Sequence, residues 1–314
     1  MGLVALGLVL GSAITHATWN LAAKRASGTG GLVFIWLRAA TSTVIYLPFA
    51  LWFAHPLSYG ALAVMALSAA LHASYFLLLH HGYAVGDLSV VYPLARGTGP
   101  LLSVTAAILI LGDRPGWVGL AGAALVVAGI AVIGLGAARV DTVPAPGVEE
   151  IAVLGPDPKR RSTSVPGTAI LSGARATGVA YGLAAGVLIA GYTVLDGAAM
   201  RTFAIAPVLF DWSVNTIGAA ALTPYAARRW GAVAQVWRDH WREVLTIAVL
   251  GPLGYILVLY AFTLAPVSLI APARELSIVV GTLFGAWLLR EPQGLRRLAG
   301  AAVVVAGVAA LALS

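Results

Sequence analysis

The sequence predicts an all-α integral membrane protein with ten transmembrane helices in two inverted five-helix repeats. Composition gives the class. Of 314 residues, 60% are apolar and only 10% are charged, against roughly 25% charged in a soluble domain. The mean hydropathy is +0.92. Length gives the helix number: a span takes about 20 mostly apolar residues, and ten stretches qualify, at 2–22, 31–54, 60–81, 87–111, 117–137, 177–199, 206–226, 244–264, 267–289 and 295–313. A duplication gives the arrangement. Overlaying Ala95-Arg96 on Ala273-Arg274 also brings Asp113 onto Glu291 and Gly116 onto Gly294. It further matches Leu120-Ala121-Gly122-Ala123-Ala124 with Leu298-Ala299-Gly300-Ala301-Ala302, and Val126-Val127-Ala128-Gly129 with Val304-Val305-Ala306-Gly307. Ser89 and Pro93 meet Ser268 and Pro272 once one residue is inserted. A shared frame of arginine, carboxylate and glycines is an internal repeat, not the chance likeness of apolar helices. Five helices per copy is an odd number, so the second copy enters the membrane from the opposite side.

The chain therefore divides into a first repeat at 1–137, a linker at 138–176 and a second repeat at 177–314. The first stretch is apolar from Gly2, with no basic segment ahead of it, and reads as a retained helix rather than a cleaved signal. Most connections are short turns, such as Gly112-Asp113-Arg114-Pro115-Gly116, which make neighbouring helices antiparallel. Prolines at 93 and 100 predict a break in the fourth helix over Tyr92–Pro100, and Ala271-Pro272-Ala273-Arg274-Glu275 is its counterpart in the ninth. Broken backbone in a membrane is tolerated where protein or water satisfies it, so both breaks are expected to line a cavity. The linker holds Pro144, Pro146, Pro156, Pro158 and Pro166 beside Glu149-Glu150 and Lys159-Arg160-Arg161, a composition that disfavours a packed core. Trp230, Trp237 and Trp241 alternate with Arg228, Arg229, Arg238 and Arg242 and read as an interfacial helix. Gly122 and Gly129, like Gly300 and Gly307, lie two helical turns apart on one face. They suit close helix packing within the bundle, or a dimer contact.

Lysine and arginine set the orientation. Loops on the side of Met1 hold Arg114 and Arg201, while the opposite side holds nearly all the rest, from Lys24 and Arg25 to Arg296 and Arg297. That asymmetry places both termini outside the cytoplasm. The net charge of +7 thus belongs to helix ends and loops, and no basic stripe or nucleic-acid motif accompanies it. With no cysteines, disulfides and thiolate metal sites are ruled out.

Ionisable and polar groups inside spans mark the candidate site, because each is costly unless paired or hydrated. His16 and Asn20 form an i, i+4 pair in the first helix with Trp19 beside them. In the frame that overlays Trp36 on Trp212, Tyr192 and Asp196 stand opposite His16 and Asn20. Arg96 and Arg274 follow the two proline-bearing segments. A guanidinium there suits a carboxylate or phosphate through paired hydrogen bonds, with Tyr92, Trp19 and Tyr192 nearby. The expected substrate-binding set is Arg96, Arg274, His16, Trp19, Asn20, Tyr92 and Tyr192, with Asp196 and Glu275 as proton-coupling carboxylates. Structural alternatives are a core histidine at 16 and ion pairs of the arginines with Asp196 or Glu275. Asp211 and Asn215 form a further i, i+4 pair, and Arg38 has one of them or the interface as its partner. His72, His80 and His81 lie along the third helix without the convergent ligands of a metal site. No zinc-protease, Walker, nucleophile-elbow or dinucleotide motif is present, so neither metal nor cofactor is expected.

Ten helices, a duplicated unit and a short acidic turn before the last helix of each copy (Gly112-Asp113-Arg114 and Arg290-Glu291-Pro292) resemble the EamA-type family of the drug/metabolite transporter superfamily. Asp113 stands where that family usually has glutamate, and Leu10-Gly11-Ser12 lacks the tryptophan often found before its glycine. Many relatives also have a cytoplasmic N-terminus, the reverse of the charge asymmetry here. The resemblance implies a secondary transporter, often an exporter of amino acids or other metabolites, with a central cavity between the copies. The expectation is a non-enzymatic, multi-pass protein of the cell (inner) membrane. Its partners would be a small solute, the lipid bilayer and, as a candidate coupling ion, protons, but no nucleic acid. The other class consistent with the residues is a membrane enzyme or flippase-like subunit using intramembrane His and Asp groups.

Overall fold

A computed structural model describes residues 1–25, 31–85, 88–137, 168–288 and 295–314. These fold into helices only: α1 (Leu3–Arg25), α2 (Leu32–Trp52), α3 (Tyr59–Val85), α4 (Leu88–Leu111), α5 (Trp117–Ala137), α6 (Thr168–Thr202), α7 (Pro207–Ala227), α8 (Trp230–Leu264), α9 (Val267–Ala273), α10 (Leu276–Leu288) and α11 (Leu295–Leu313). Among the described residues, eight segments are long and apolar enough to cross a membrane. They lie in α1, α2, α3, α4, α6, α8, the α9–α10 pair and α11. The stretches expected at 117–137 and 206–226 are helical, but fall outside that set. In α5 the apolar run is the shorter Trp117–Ile133. In α7, Asp211, Ser213, Asn215, Thr216 and Thr223 dilute the apolar content. The protein is a multi-pass membrane protein, since helices satisfy their own backbone groups where water cannot.

One local expectation is corrected. The break predicted over Tyr92–Pro100 does not form: α4 runs unbroken from Leu88 to Leu111. A proline in a helix interior deprives one carbonyl of its donor and can bend the helix without ending it. Here close packing on α6 holds the helix. A Cβ on Gly99 would lie 2.8 Å from Ile189, and one on Gly186 would lie 2.0 Å from the Thr98 hydroxyl. The counterpart break does form, as a turn at Arg274–Glu275 between α9 and α10. Helix α6 starts at Thr168, inside the stretch read as linker and directly after Pro166-Gly167, where Ala169, Leu171 and Ala174 favour helix. The basic, tryptophan-rich stretch is the first part of α8, set off by the non-helical His240 (φ −136°, ψ 27°). The rest of the linker and the Arg290-Glu291-Pro292 turn lie outside the described residues.

Helices of the first half pack on helices of the second in exchanged pairs. α1 lies on α8 while α3 lies on α6; α4 lies on α6 while α10 lies on α1; α2 meets α7, and α5 meets α11. The paired tryptophans join in this exchange. Trp36 of α2 donates to the Thr223 hydroxyl of α7 (3.0 Å), and Trp212 of α7 donates to the Thr43 carbonyl of α2 (2.9 Å). The Met1 amine donates to the Ala312 carbonyl at 3.2 Å, so both termini lie at one end of the bundle.

The glycine faces are spent on α5 against α11 within the chain. A Cβ on Gly122 would come 2.8 Å from the Gly307 carbonyl oxygen, and one on Gly129 would come 2.6 Å from Val304 and 2.8 Å from the Gly300 carbonyl oxygen. Backbone cannot yield as a side chain tip can. Gly129→Ala is therefore expected to destabilise the folded protein by about 1–3 kcal/mol, read as a fall in thermal midpoint in detergent.

Candidate functional site

A cavity of about 330 Å³ opens between the halves, within the size range of small-molecule sites. Its lining extends toward the end at which α1 terminates and takes in Trp19, Leu32, Leu222 and Ile247. At the opposite end Ala5, Val9, Met65, Phe210, Phe262 and Val267 form a buried core.

Both arginines reach this cavity. Arg96 of α4 lies 3.6 Å from the Glu275 carboxylate and 3.3 Å from Nε2 of His16. Arg274, placed by the turn that ends α9, donates to the Thr193 hydroxyl at 3.5 Å, and its guanidinium stands 5.6 Å from the centre of the Tyr255 ring. Among the described residues, Arg274 has no carboxylate within 4.0 Å of its guanidinium. His16, Trp19 and Tyr192 also line the wall, with His16 and Trp19 edge to face at 5.0 Å. Asn20 does not line it, and its buried Oδ1 finds no partner. Ser12, His16 and Trp19 share a stripe of α1, whereas Asn20 lies about 100° round from Trp19. The side chain of Tyr92 lies outside those described.

The carboxylates divide between the wall and the layer behind it. Glu275 lines the cavity beside Arg96, and Asp211 lines it while accepting from Asn215 Nδ2 at 3.0 Å. Asp196 is fully buried and accepts a hydrogen bond from the Tyr255 hydroxyl. His72, which sequence spacing leaves without a role, stacks on Tyr192 with ring centres 4.0 Å apart and brings Nε2 to 4.0 Å from Asp196. Tyr255 and Arg38, the latter over the Phe76 ring at 5.3 Å, complete the polar wall. Tyr255 carries no sequence signal of its own, since its role depends on α8 crossing α6. Among the described residues, no group of His, Asp and Glu is arranged to hold a metal ion.

The far end is tied by charge. Arg201 at the end of α6 donates to Asp113 Oδ1 at 2.9 Å, the Ser268 backbone N–H of α9 donates to Oδ2 at 2.9 Å, and Arg201 also reaches the Ala265 carbonyl at 3.4 Å. Burial alone would raise the Asp113 pKa. The hydrogen bonds from Arg201 and Ser268 outweigh it and hold the carboxyl below its ordinary 3.8. A depressed carboxylate stabilises the fold above its unfolded pKa, and that contribution is lost as pH falls through the folded value. Asp113→Asn is thus expected to lower the thermal midpoint at neutral pH, by the about 1.5–3 kcal/mol of a hydrogen bond to a charged group. The gap from wild type should close in acid, below the carboxylate range.

These features define a polytopic helical membrane protein enclosing a cavity of mixed charge. The chain belongs to the EamA-like transporter family, whose family model matches residues 3–135 and 176–313. It is a transporter-like membrane protein of the drug/metabolite type. Among solved structures it is similar to one titled "Crystal structure of protein", with 15% identity, 98% of this chain and 96% of that chain covered, and a TM-score of 0.69; that likeness concerns the fold. No curated protein matches the chain.

Proposed function

We propose that the protein is a secondary transporter that moves a small solute bearing an anionic group, such as an amino acid or a similar metabolite, by alternating access. The observation that carries this reading is Arg274: a partly buried guanidinium lining the cavity, with no carboxylate within 4.0 Å of it among the described residues. Burying a cation without a counter-charge is expensive, and a solute carboxylate or phosphate supplies the charge with matching geometry. The cavity's aromatic and aliphatic walls suit an apolar body on that solute. The exchanged packing of the halves and the family match over two stretches support ten spans in two inverted repeats about the cavity. Transport of this kind leaves the solute chemically unchanged, so the protein acts as a carrier in the cell (inner) membrane, not as an enzyme.

The cavity lining lies toward the end opposite the termini. The Lys/Arg asymmetry makes that end cytoplasmic, so this conformation loads from inside, as an exporter would. A reporter active only in the cytoplasm, fused after Ser314, is expected to be silent; activity there would reverse the orientation. The binding claim is tested by thermal shift with a panel of amino acids, carboxylates and phosphate monoesters, because a ligand of the folded form raises its melting point. Stabilisation by anionic members that is lost in their amide or ester forms is the expected result. A panel with no stabilising member, or one indifferent to the anionic group, opposes the reading.

A further inference from the structure

We propose that His72, in the cavity wall, and Asp196, directly behind it, form one proton-binding site linked to Arg274 through Tyr255. The site deepens the transport reading by naming the coupling ion, and only its role in coupling rests on that reading. The argument begins with the number of hydrogens. His72 Nδ1 lies 3.0 Å from the Ser68 carbonyl oxygen, which can only accept, so Nδ1 carries a hydrogen. A neutral imidazole with its hydrogen on Nδ1 has a bare lone pair on Nε2. That lone pair faces Asp196 Oδ2 at 4.0 Å. The ring cannot easily turn away, being stacked on Tyr192 and set edge to face with Tyr255 at 5.5 Å. On Asp196, Oδ2 accepts from Tyr255 and the Ser68 hydroxyl also acts on the carboxylate, while the buried Oδ1 has no hydrogen-bond partner.

Two acceptors thus confront each other at the cavity wall, His72 lining the cavity and Asp196 fully buried behind it. One added proton resolves the conflict. On Nε2 it makes an imidazolium beside a carboxylate; on the carboxyl it makes a hydroxyl donor toward Nε2 or toward the unfilled side. The two forms have the same composition, so the proton belongs to the pair rather than to either residue. The charged and titratable groups around it come from every neighbouring helix. They are Arg38 from α2, Ser68 and His72 from α3, Arg96 from α4, Tyr192 and Thr193 from α6 itself, Asp211 from α7, Tyr255 from α8, and Arg274 and Glu275 from the α9–α10 turn. Arg96 is matched by Glu275; Arg274 and Arg38 are the cations whose charge reaches the dyad, Arg274 on both members and Arg38 on His72. The connection is a single side chain: the Tyr255 hydroxyl holds Asp196, and the face of its ring carries the Arg274 guanidinium.

Infrared titration of the full chain in lipid nanodiscs, with no solute present, tests this without measuring transport. Wild type is expected to show one carboxyl and one imidazole change at a shared midpoint. Asp196→Asn should remove the carboxyl change and displace the imidazole one. His72→Gln should keep the carboxyl change but lower its midpoint by about one pH unit or more, because the partner base is gone. A His72→Gln titration that overlays wild type, or an imidazole that titrates unaltered in Asp196→Asn, overturns the proposal. Nitrogen NMR of histidine-labelled wild type covers the case of a variant that does not fold. Nδ1 should stay protonated throughout while Nε2 titrates; a His72 that keeps its hydrogen on Nε2 at every pH overturns the proposal as well. A failed dyad would leave solute binding at Arg274 standing, and absent flux would leave the dyad's titration intact.

Discussion

Replacing Arg274 by alanine is expected to leave a folded protein that no longer holds an anionic solute. No carboxylate lies within 4.0 Å of this side chain among the described residues, so its removal breaks no contact ion pair. What is lost is the cavity's anion anchor. Removing one partner of a buried charged pair costs about 2–5 kcal/mol, and each 1.4 kcal/mol is tenfold in affinity. Binding should therefore weaken by roughly 30-fold to several thousand-fold. Arg274→Lys keeps the charge but loses the planar fork, and should fall between the two. The contrast is Arg96. It lies 3.6 Å from Glu275, whose side chain is 6% exposed, so Arg96→Ala strands a buried carboxylate at a cost of about 3–5 kcal/mol in stability. Isothermal binding and thermal midpoints, measured on both variants, separate these roles. Equal loss of folding in both would make Arg274 structural, and unchanged binding by folded Arg274→Ala would remove it from the site.

Joining the ends of the Asp113–Arg201 contact should stop transport altogether. Asp113, Arg201 and the Ser268 N–H tie the first half to the second at the end away from the cavity mouth. Alternating access requires that tie to open and close, and its hydrogen bonds are weak enough, at about 1.5–3 kcal/mol each, for a two-state equilibrium of a few kcal/mol. The chain has no cysteine, so cysteines introduced at 113 and 201 are the sole thiols. A short, cleavable bifunctional thiol reagent should reduce flux to background while solute binding from the cavity mouth persists, and cleavage should restore flux. Undiminished flux through the cross-linked protein would mean that this end does not move.

The membrane class was legible because a charge content this low has few other solutions, and the matched Arg96 and Arg274 frames point to the pair that the cavity brings together. Less legible were features decided by packing. Pro93 and Pro100 carry the same chemistry as Pro272, yet only the second copy breaks, because Gly99 and Gly186 let α4 lie close on α6. His16 and Asn20 share a face by spacing, but the cavity follows the stripe through Ser12 and Trp19 and leaves Asn20 aside. His72 looks ordinary among three histidines of α3. Its significance comes from Asp196 and Tyr255, residues of two other helices that no local pattern connects to it. Arg96 and Glu275 likewise meet from opposite halves.

The central claim, that a solute crosses this protein unchanged through the cavity held by Arg274, is tested most directly by counterflow in liposomes containing the purified full chain. With unlabelled anionic solute inside and labelled solute outside, the account predicts labelled uptake that depends on the internal solute, recovery of the label chemically intact, and loss of uptake in folded Arg274→Ala. A label recovered as a different compound, or counterflow undiminished by Arg274→Ala, would contradict it.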